Sequence, residues 1–155
     1  MTHDSRIVHI ELDEGSIKRR SPEVDHERKI AIIDLIDDNN FALVNYPGKY
    51  RLTISIKENK LVFDVCDDRK TPIKTIILSL TPFRKIIKDY FVICDSYFEA
   101  IKTSSPAQIE AIDMGRRGIH NEGSDLLADR LEDKATMNRT TSRRLFTLVC
   151  VLHLR

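Results

Sequence analysis

The chain has 155 residues, of which 41% are hydrophobic and 32% charged, a balance typical of one globular domain and not of a disordered chain. The formal net charge at pH 7 is +1, so no overall electrostatic field favours nucleic acid or an acidic membrane as a partner. We therefore expect no membrane partner, and nucleic acid would need a local basic patch.

The three cysteines, Cys66, Cys94 and Cys150, lie far apart in apolar segments. This spacing favours reduced core thiols in a cytoplasmic protein over disulfides or a zinc site. The N-terminus is polar and lacks the apolar core of a signal peptide. The longest apolar run, Leu145 to Leu154, is too short to span a bilayer. We therefore expect a cytoplasmic location.

The N-terminal part of the chain predicts a strand and then a helix. Ile7 to Leu12 alternate in part and predict the strand. Ser21-Pro22-Glu23 is a helix start with a cap, a proline in the first turn and an acidic residue, and the helix should continue to about Asn39. Ile30 and Ile33 lie outside its main apolar face, so we expect most of its circumference to be covered. That face consists of Val24, Ala31, Ile32, Leu35 and Ile36.

The middle of the chain predicts three neighbouring strands. Tyr50 to Ile56 and Leu61 to Cys66 read as a hairpin around the polar turn at residues 57–60. Ile73 to Leu80 follows after a charged loop. Short turns between adjacent strands favour an antiparallel meander.

The clearest predicted helix begins at Thr81-Pro82. Its apolar residues recur every three or four positions and form one wide stripe, which predicts burial and not a ligand-binding box of aromatic side chains. Tyr90, Phe91, Cys94 and Phe98 should be largely buried. The whole stripe comprises Phe83, Ile86, Ile87, Tyr90, Phe91, Cys94, Tyr97, Phe98 and Ile101.

Two further segments complete the predicted fold. Ser105 and Gln108 have capping-box spacing and open a third helix that should end near Leu131. After a polar linker, Leu145 to Leu154 predicts a buried helix, with a central strand as the alternative. The fold class is therefore α+β, a single domain over residues 1–155. In it, an antiparallel sheet of about four strands packs against three or four helices.

Three of the five glycines, Gly115, Gly118 and Gly123, fall within nine residues of the third helix. Each interior glycine costs a helix about 1 kcal/mol relative to alanine, so this segment needs a reason for them. At 100° per residue, Gly115 and Gly123 lie on the side predicted to pack against a neighbour. Gly118 points elsewhere, which favours a break in the helix or the close approach of a ligand there.

The polar residues between the glycines make this helix the best candidate for a binding site. Arg116 and Arg117 could clamp a carboxylate or phosphate, and His120 could transfer a proton near neutral pH. Gly118 and Glu122 complete the predicted ligand- or partner-binding set. The structural alternative is that the arginines pair with Asp113 and Glu122 while His120 bonds a carbonyl.

One side of the helix should display its polar chemistry. Asp113, Arg117, His120 and Ser124 share it, and the adjacent buried side holds the packing glycines with Ile112, Ile119, Leu126 and Arg130.

Other constellations are weaker. Glu23 and His26 have the Glu-x-x-His spacing of dimetal helices but lack a second such motif, so we predict no metal site and no cofactor. The chain has no nucleophile elbow and no glycine-rich phosphate loop after a strand. Basic residues on two segments favour solvated helix faces over an RNA-binding patch. They are Arg84, Lys85, Lys88, Arg139, Arg143 and Arg144.

Four segments resemble a known family. Leu80–Ala100 resembles its long helix, Pro106–Ser124 the next segment, Arg144–Cys150 its end and Ser21–Arg28 its first helix. The family is the uncharacterised protein family UPF 0262 of alphaproteobacteria, and the resemblance covers nearly the whole chain. It implies a bacterial cytoplasmic protein standing as one domain. It carries no assigned activity, so it implies no functional residues.

The function that these observations favour is a non-catalytic binding or regulatory module. It would recognise a protein partner or a small anionic ligand around Arg116, Arg117 and His120. The alternative is a small hydrolase or transferase that uses His120 as acid or base and the arginines as an anion clamp. An enzyme should show a concave pocket that receives His120 and an arginine, whereas an interaction module should show an exposed apolar patch. If the protein instead bound RNA through its basic residues, the weakest of the three hypotheses, the nucleic acid should dissociate as the salt concentration rises.

Overall fold

The structure is a computed structural model that describes residues 5–13 and 22–153. Its first half holds β1 (Arg6–Leu12), α1 (Pro22–Asp37), β2 (Ala42–Leu43), β3 (Lys49–Lys57), β4 (Lys60–Asp67) and β5 (Pro72–Ser79). Its second half holds α2 (Thr81–Thr103), α3 (Pro106–Leu131), β6 (Ala135–Thr136) and α4 (Arg139–His153). The predicted α+β class is confirmed. The helix cap predicted at Ser21 lies outside the described residues.

The main sheet has the strand order β1-β3-β4-β5. The meander of β3, β4 and β5 is antiparallel, as predicted. The sheet as a whole is mixed, because β1 pairs with β3 in parallel. The expectation of a wholly antiparallel sheet is therefore wrong. The physical reason is the connection: α1 lies between β1 and β3 in the chain and provides the crossover that a parallel pair requires.

The turn between β3 and β4 and the outer edge of β1 are both fixed by asparagine. Glu58 and Asn59 have φ angles of 51° and 65°, the positive pair that a tight hairpin turn needs. At the free edge of β1, the Asn39 side chain accepts a hydrogen bond from the Ile7 backbone N–H and donates one to the Ile7 carbonyl. This side chain therefore pairs backbone groups that would otherwise form an open sheet edge.

Helix α4 lies at the centre of the fold. It contacts α1, α3 and β3, and its apolar run is a buried helix, which confirms the first of the two interpretations and excludes the strand. Leu145, Phe146, Leu148, Val149 and Cys150 are almost fully buried. They belong to one cluster of buried side chains. That residues 1–155 form a single domain stays a prediction.

The apolar stripe of α2 is wider than the part of the helix that neighbouring elements cover. Tyr90 and Cys94 are buried as predicted. Phe91 and Phe98 are only half-buried, so the expectation that they are largely buried is wrong for these two; Ile101, another member of the stripe, is exposed.

The expected coverage of α1 is also wrong. Ala31 and Leu35 are buried, but Ile30 is 43% and Ile33 63% exposed. Helix α1 contacts α4 and β1, and its apolar circumference exceeds what these two elements cover.

Helix α3 begins with the predicted capping box, in which Ser105 and Gln108 bond each other's backbone N–H groups. The helix is continuous through its three glycines, none of which has a positive φ, so a break, the first of the two alternatives for Gly118, does not occur. A Cβ at Gly115 would lie 2.9 Å from Ile93 Cδ1, and one at Gly123 would lie 2.1 Å from Phe146 Cζ. Both positions therefore face close neighbours, as predicted, whereas a Cβ at Gly118 would meet nothing within 4 Å.

Candidate functional site

A cleft of about 380 Å³ opens between α3 and α4, with one residue each from α1 and α2 in its wall. Of the site residues predicted from sequence, the cleft brings together Arg116, Arg117 and His120. Gly118 and Glu122 are not among the lining residues, and their part in binding stays a prediction. The lining residues are Glu27, Tyr90, Arg116, Arg117, His120, Thr140, Arg143, Arg144 and Thr147.

His120 does not project from an open polar face as expected. It is only 9% exposed, and Ser124 one turn later is fully buried. The His120 ring centroid lies 5.2 Å from those of both Tyr90 and Phe146. The reason is that α4 packs against this side of α3. The spacing of polar residues along α3 alone predicts a side that faces solvent. Arg130, predicted on the buried side, is exposed.

The hydrogen bonds around His120 fix its tautomer. Thr147 Oγ1 lies 2.7 Å from Nε2 and already donates to the Arg143 carbonyl. Ser124 Oγ lies 3.4 Å from Nδ1 and already donates to the His120 carbonyl. A neutral imidazole has one N–H, and the shorter of the two contacts assigns it to Nε2, with Thr147 Oγ1 as the acceptor. The structural alternative named a carbonyl as the histidine's partner, and the observed partner is a hydroxyl.

Burial sets the charge of His120. Removal from water, together with the nearby charges of Arg143 and Arg116, lowers its pKa to about 4. The imidazole is therefore neutral at pH 7.

This low pKa predicts a pH-dependent stability. The unfolded chain binds a proton at His120 below about pH 6.5, whereas the folded chain does so only near pH 4. Stability from this group is therefore lost as the pH falls between these values, by about 2 kcal/mol from pH 7 to pH 5. Urea unfolding at both pH values should show this loss in the parent protein and not in His120→Gln. The control His9→Gln changes an exposed histidine on β1 and should keep the loss. An unchanged pH dependence in His120→Gln would contradict the assignment.

The two cleft-lining arginines of α3 are held by one carboxylate. Arg116 Nη2 lies 2.7 Å from Asp113 Oδ1, and Arg117 Nε lies 3.2 Å from Asp113 Oδ2. The Arg116 guanidinium also stacks over the Tyr97 ring, 4.6 Å from its centroid. The structural alternative is thus confirmed for Asp113. These pairs use only part of the donor set, since each guanidinium has five N–H groups.

Two further arginines reach the cleft from α4. Arg144 Nη1 donates to the carbonyls of Asp34 and Asp38 at the end of α1, at 3.1 and 2.9 Å. Arg143 is exposed, and its charge acts on the His120 ring. Both were expected on solvated helix faces, so their place in the cleft was missed. The available signal was the Arg143-Arg144 pair directly before the buried run of α4.

Glu27 is the one carboxylate among the lining residues, and sequence reasoning missed it as well. The Tyr90 hydroxyl donates to its Oε2 at 2.6 Å. Burial and the nearby Glu27 charge raise the pKa of Tyr90 far above its usual range. The phenol therefore stays protonated and remains a donor to Glu27.

The cysteines near this region are unsuited to nucleophilic chemistry. Cys94 and Cys150 are buried free thiols, as predicted. Burial raises the pKa of Cys94 to about 11 and that of Cys150 well above its usual value. Both are protonated thiols at neutral pH, and thiolates are the reactive form. Cys66 is only half-buried, which corrects its assignment to the core.

Three of the other basic residues have partners outside the cleft. Arg84 bonds the Asn59 side chain, Lys85 Nζ lies 2.8 Å from Asp89, and Arg139 lies 3.5 Å from Asp125. Within residues 5–13 and 22–153, no cluster of three potential metal ligands occurs. The Glu23 side chain of the Glu-x-x-His motif is not among the side chains that the structure describes. None of the helices in this part of the chain has the apolar length needed to cross a bilayer.

Comparison with known proteins gives a consistent result. A model of the uncharacterised protein family UPF0262 matches residues 4–155. A UPF0262 protein of Rhodospirillum rubrum is 55% identical over 96% of this chain and 92% of its own length. Those of Mesorhizobium japonicum and Agrobacterium fabrum are both 56% identical, over 97% and 98% of this chain and 94% and 97% of their own lengths. No solved structure matches. The chain therefore belongs to the uncharacterised protein family UPF0262.

Proposed function

We propose that the protein is a non-catalytic binding module whose cleft takes a small anionic ligand. One observation carries the proposal: four arginines from two helices line one cleft, against a single carboxylate. With His120 neutral, the lining residues carry a net charge of +3, and +2 remains when the Asp113 carboxylate paired with Arg116 and Arg117 is included, whereas the whole chain carries +1. The positive charge is thus concentrated where a ligand can be enclosed.

Three of the four cleft arginines are held in place by other protein groups before binding. Asp113 holds Arg116 and Arg117, and the last carbonyls of α1 hold Arg144. Fixed guanidinium groups lose less side-chain entropy when they bind, and their paired donors match phosphate and carboxylate oxygens. This supports a phosphate- or carboxylate-bearing ligand.

The shape favours a small molecule over a protein partner or RNA. The residues around His120 form a concavity of about 380 Å³, within the roughly 300–1,000 Å³ typical of small-molecule sites. A partner-binding module was expected to present an exposed apolar patch at this place.

The alternative, a hydrolase or transferase with His120 as acid or base, agrees with the concave shape but not with the histidine. A general acid or base works best when its pKa is near the working pH, and burial lowers the pKa of His120 to about 4. Its Nε2–H is also bonded to Thr147. Binding is therefore the better proposal.

The test is the loss of anion binding when one cleft arginine is neutralised. We expect isothermal titration calorimetry with a panel of small phosphate esters and carboxylates to identify a binder. Arg143→Gln should weaken its Kd by about 10- to 100-fold, since a hydrogen bond to a charged group is worth about 1.5–3 kcal/mol. Arg130→Gln is the matched control, an exposed arginine on α3 that does not line the cleft. Equal weakening in both variants, or no binder in the panel at millimolar concentration, would contradict the proposal.

A further inference from the structure

We propose that the ligand of this cleft is a zwitterion, a small molecule with an ammonium group for Glu27 and a phosphate or carboxylate group for the arginines. The inference rests on the proposed function and adds the class of ligand. It follows from Glu27, a lining carboxylate that would be unfavourable in a site for a ligand with only negative groups.

Glu27 is placed where it would repel an anion. It lines the same cleft as the four arginines, and it is half-buried. Charges of equal sign interact more strongly where the surroundings exclude water. A ligand with only negative groups would therefore meet an unfavourable neighbour, while a ligand with a cationic end would make a charge-assisted hydrogen bond with it.

Glu27 is also oriented and retains acceptor capacity. Tyr90 donates to its Oε2 at 2.6 Å, and burial keeps that phenol protonated. An ionised carboxylate has about four acceptor sites, and one donor occupies only one of them. The remaining sites suit an ammonium group, which has three donors and no acceptor.

The size of the cleft points the same way. A volume of about 380 Å³ is much larger than an inorganic phosphate needs. The arginines come from α3 and α4, whereas Glu27 and its partner Tyr90 come from α1 and α2. The negative charge and the positive charges of the cleft wall thus come from different helices, which suits a ligand with two unlike ends.

The experiment uses pairs of ligands that differ only in the cationic group. Phosphoethanolamine is compared with 2-hydroxyethyl phosphate, and γ-aminobutyrate with 4-hydroxybutyrate, by calorimetry on the full chain. We expect the ammonium member of at least one pair to bind about tenfold more tightly than its hydroxyl analogue. The pair that shows the preference identifies phosphate or carboxylate as the anionic group.

The variant Glu27→Gln separates this inference from the proposed function. The amide can still accept from Tyr90, so folding should be kept, and thermal unfolding checks this. We expect the preference for the ammonium ligand to fall below about threefold while the hydroxyl analogue binds at least as well as before. Glu110→Gln, an exposed glutamate on α3, should change neither affinity.

Two results would overturn the inference. In the first, both members of a pair bind equally to the parent protein and Arg143→Gln weakens the binding of both. The cleft then binds anions without regard to an ammonium group, and the inference of a zwitterionic ligand is wrong. If no member of either pair binds, the inference fails. If the broader anion panel also shows no binder, the proposed function fails with it.

Discussion

Gly123→Ala is expected to destabilise the protein by about 3 kcal/mol, although alanine favours a helix more than glycine does. The added Cβ would lie 2.1–2.5 Å from three atoms of the Phe146 ring, and Phe146 is fully buried. The ring cannot retreat without disturbing its neighbours, because α3 and α4 pack closely here. Urea unfolding monitored by circular dichroism measures the loss.

Gly118→Ala is the matched control in the same helix. A Cβ there meets nothing within 4 Å, so this substitution should stabilise by about 0.4–1 kcal/mol. If Gly123→Ala were also neutral or stabilising, the contact of α3 with α4 would be looser than described. A stable Gly118→Ala protein that no longer bound its ligand would support the prediction that Gly118 is small for function.

The glycines show what the sequence of α3 could and could not provide. Their spacing correctly placed Gly115 and Gly123 on packing sides, because helical periodicity fixes which residues share a face. The same spacing placed His120 and Ser124 together, but not inside the protein. Periodicity gives angles around one helix axis, whereas burial depends on which neighbour covers each side.

The candidate site was predictable only in the part that one helix supplies. Arg116 and Arg117 are adjacent in sequence, and their pairing with Asp113 follows from helix spacing. Glu27 and Arg143 lie 116 positions apart, and nothing local in the sequence relates them. Their shared cleft depends on how α1 packs on α4 and how α2 and α4 pack on α3, so the electrostatic character of the site appeared only in the structure.

In the sheet, too, the locally determined features were predictable and the features that depend on tertiary packing were not. The β3–β4–β5 meander was predicted because its turns are short and its strands alternate. The pairing of β1 was missed because a strand separated from its partner by a helix carries no local sign of its neighbour. The parallel β1–β3 pair thus depends on tertiary packing, in which Asn39 and α1 take part.

Leu148→Ala should produce the other large loss of stability, about 3–4 kcal/mol. Leu148 is fully buried in α4, the helix that contacts α1, α3 and β3. Leucine-to-alanine changes in such positions remove the transfer free energy of three carbons and leave a cavity, with measured costs of about 2–5 kcal/mol in other proteins. The midpoint of urea unfolding should fall while the slope stays the same, since the native fold is kept.

Ile33→Ala removes the same number of carbons from an exposed position and is the control. Ile33 is 63% exposed on α1, so its truncation leaves no cavity and replaces a β-branched residue by the best helix former. We expect a change within about 0.5 kcal/mol of zero. A large loss in Ile33→Ala would show that this side of α1 is covered in solution. A small loss in Leu148→Ala would mean that α4 is not the centre of the core. Since the arginines of α4 are positioned by that packing, a displaced α4 would remove the physical basis of the cleft as well.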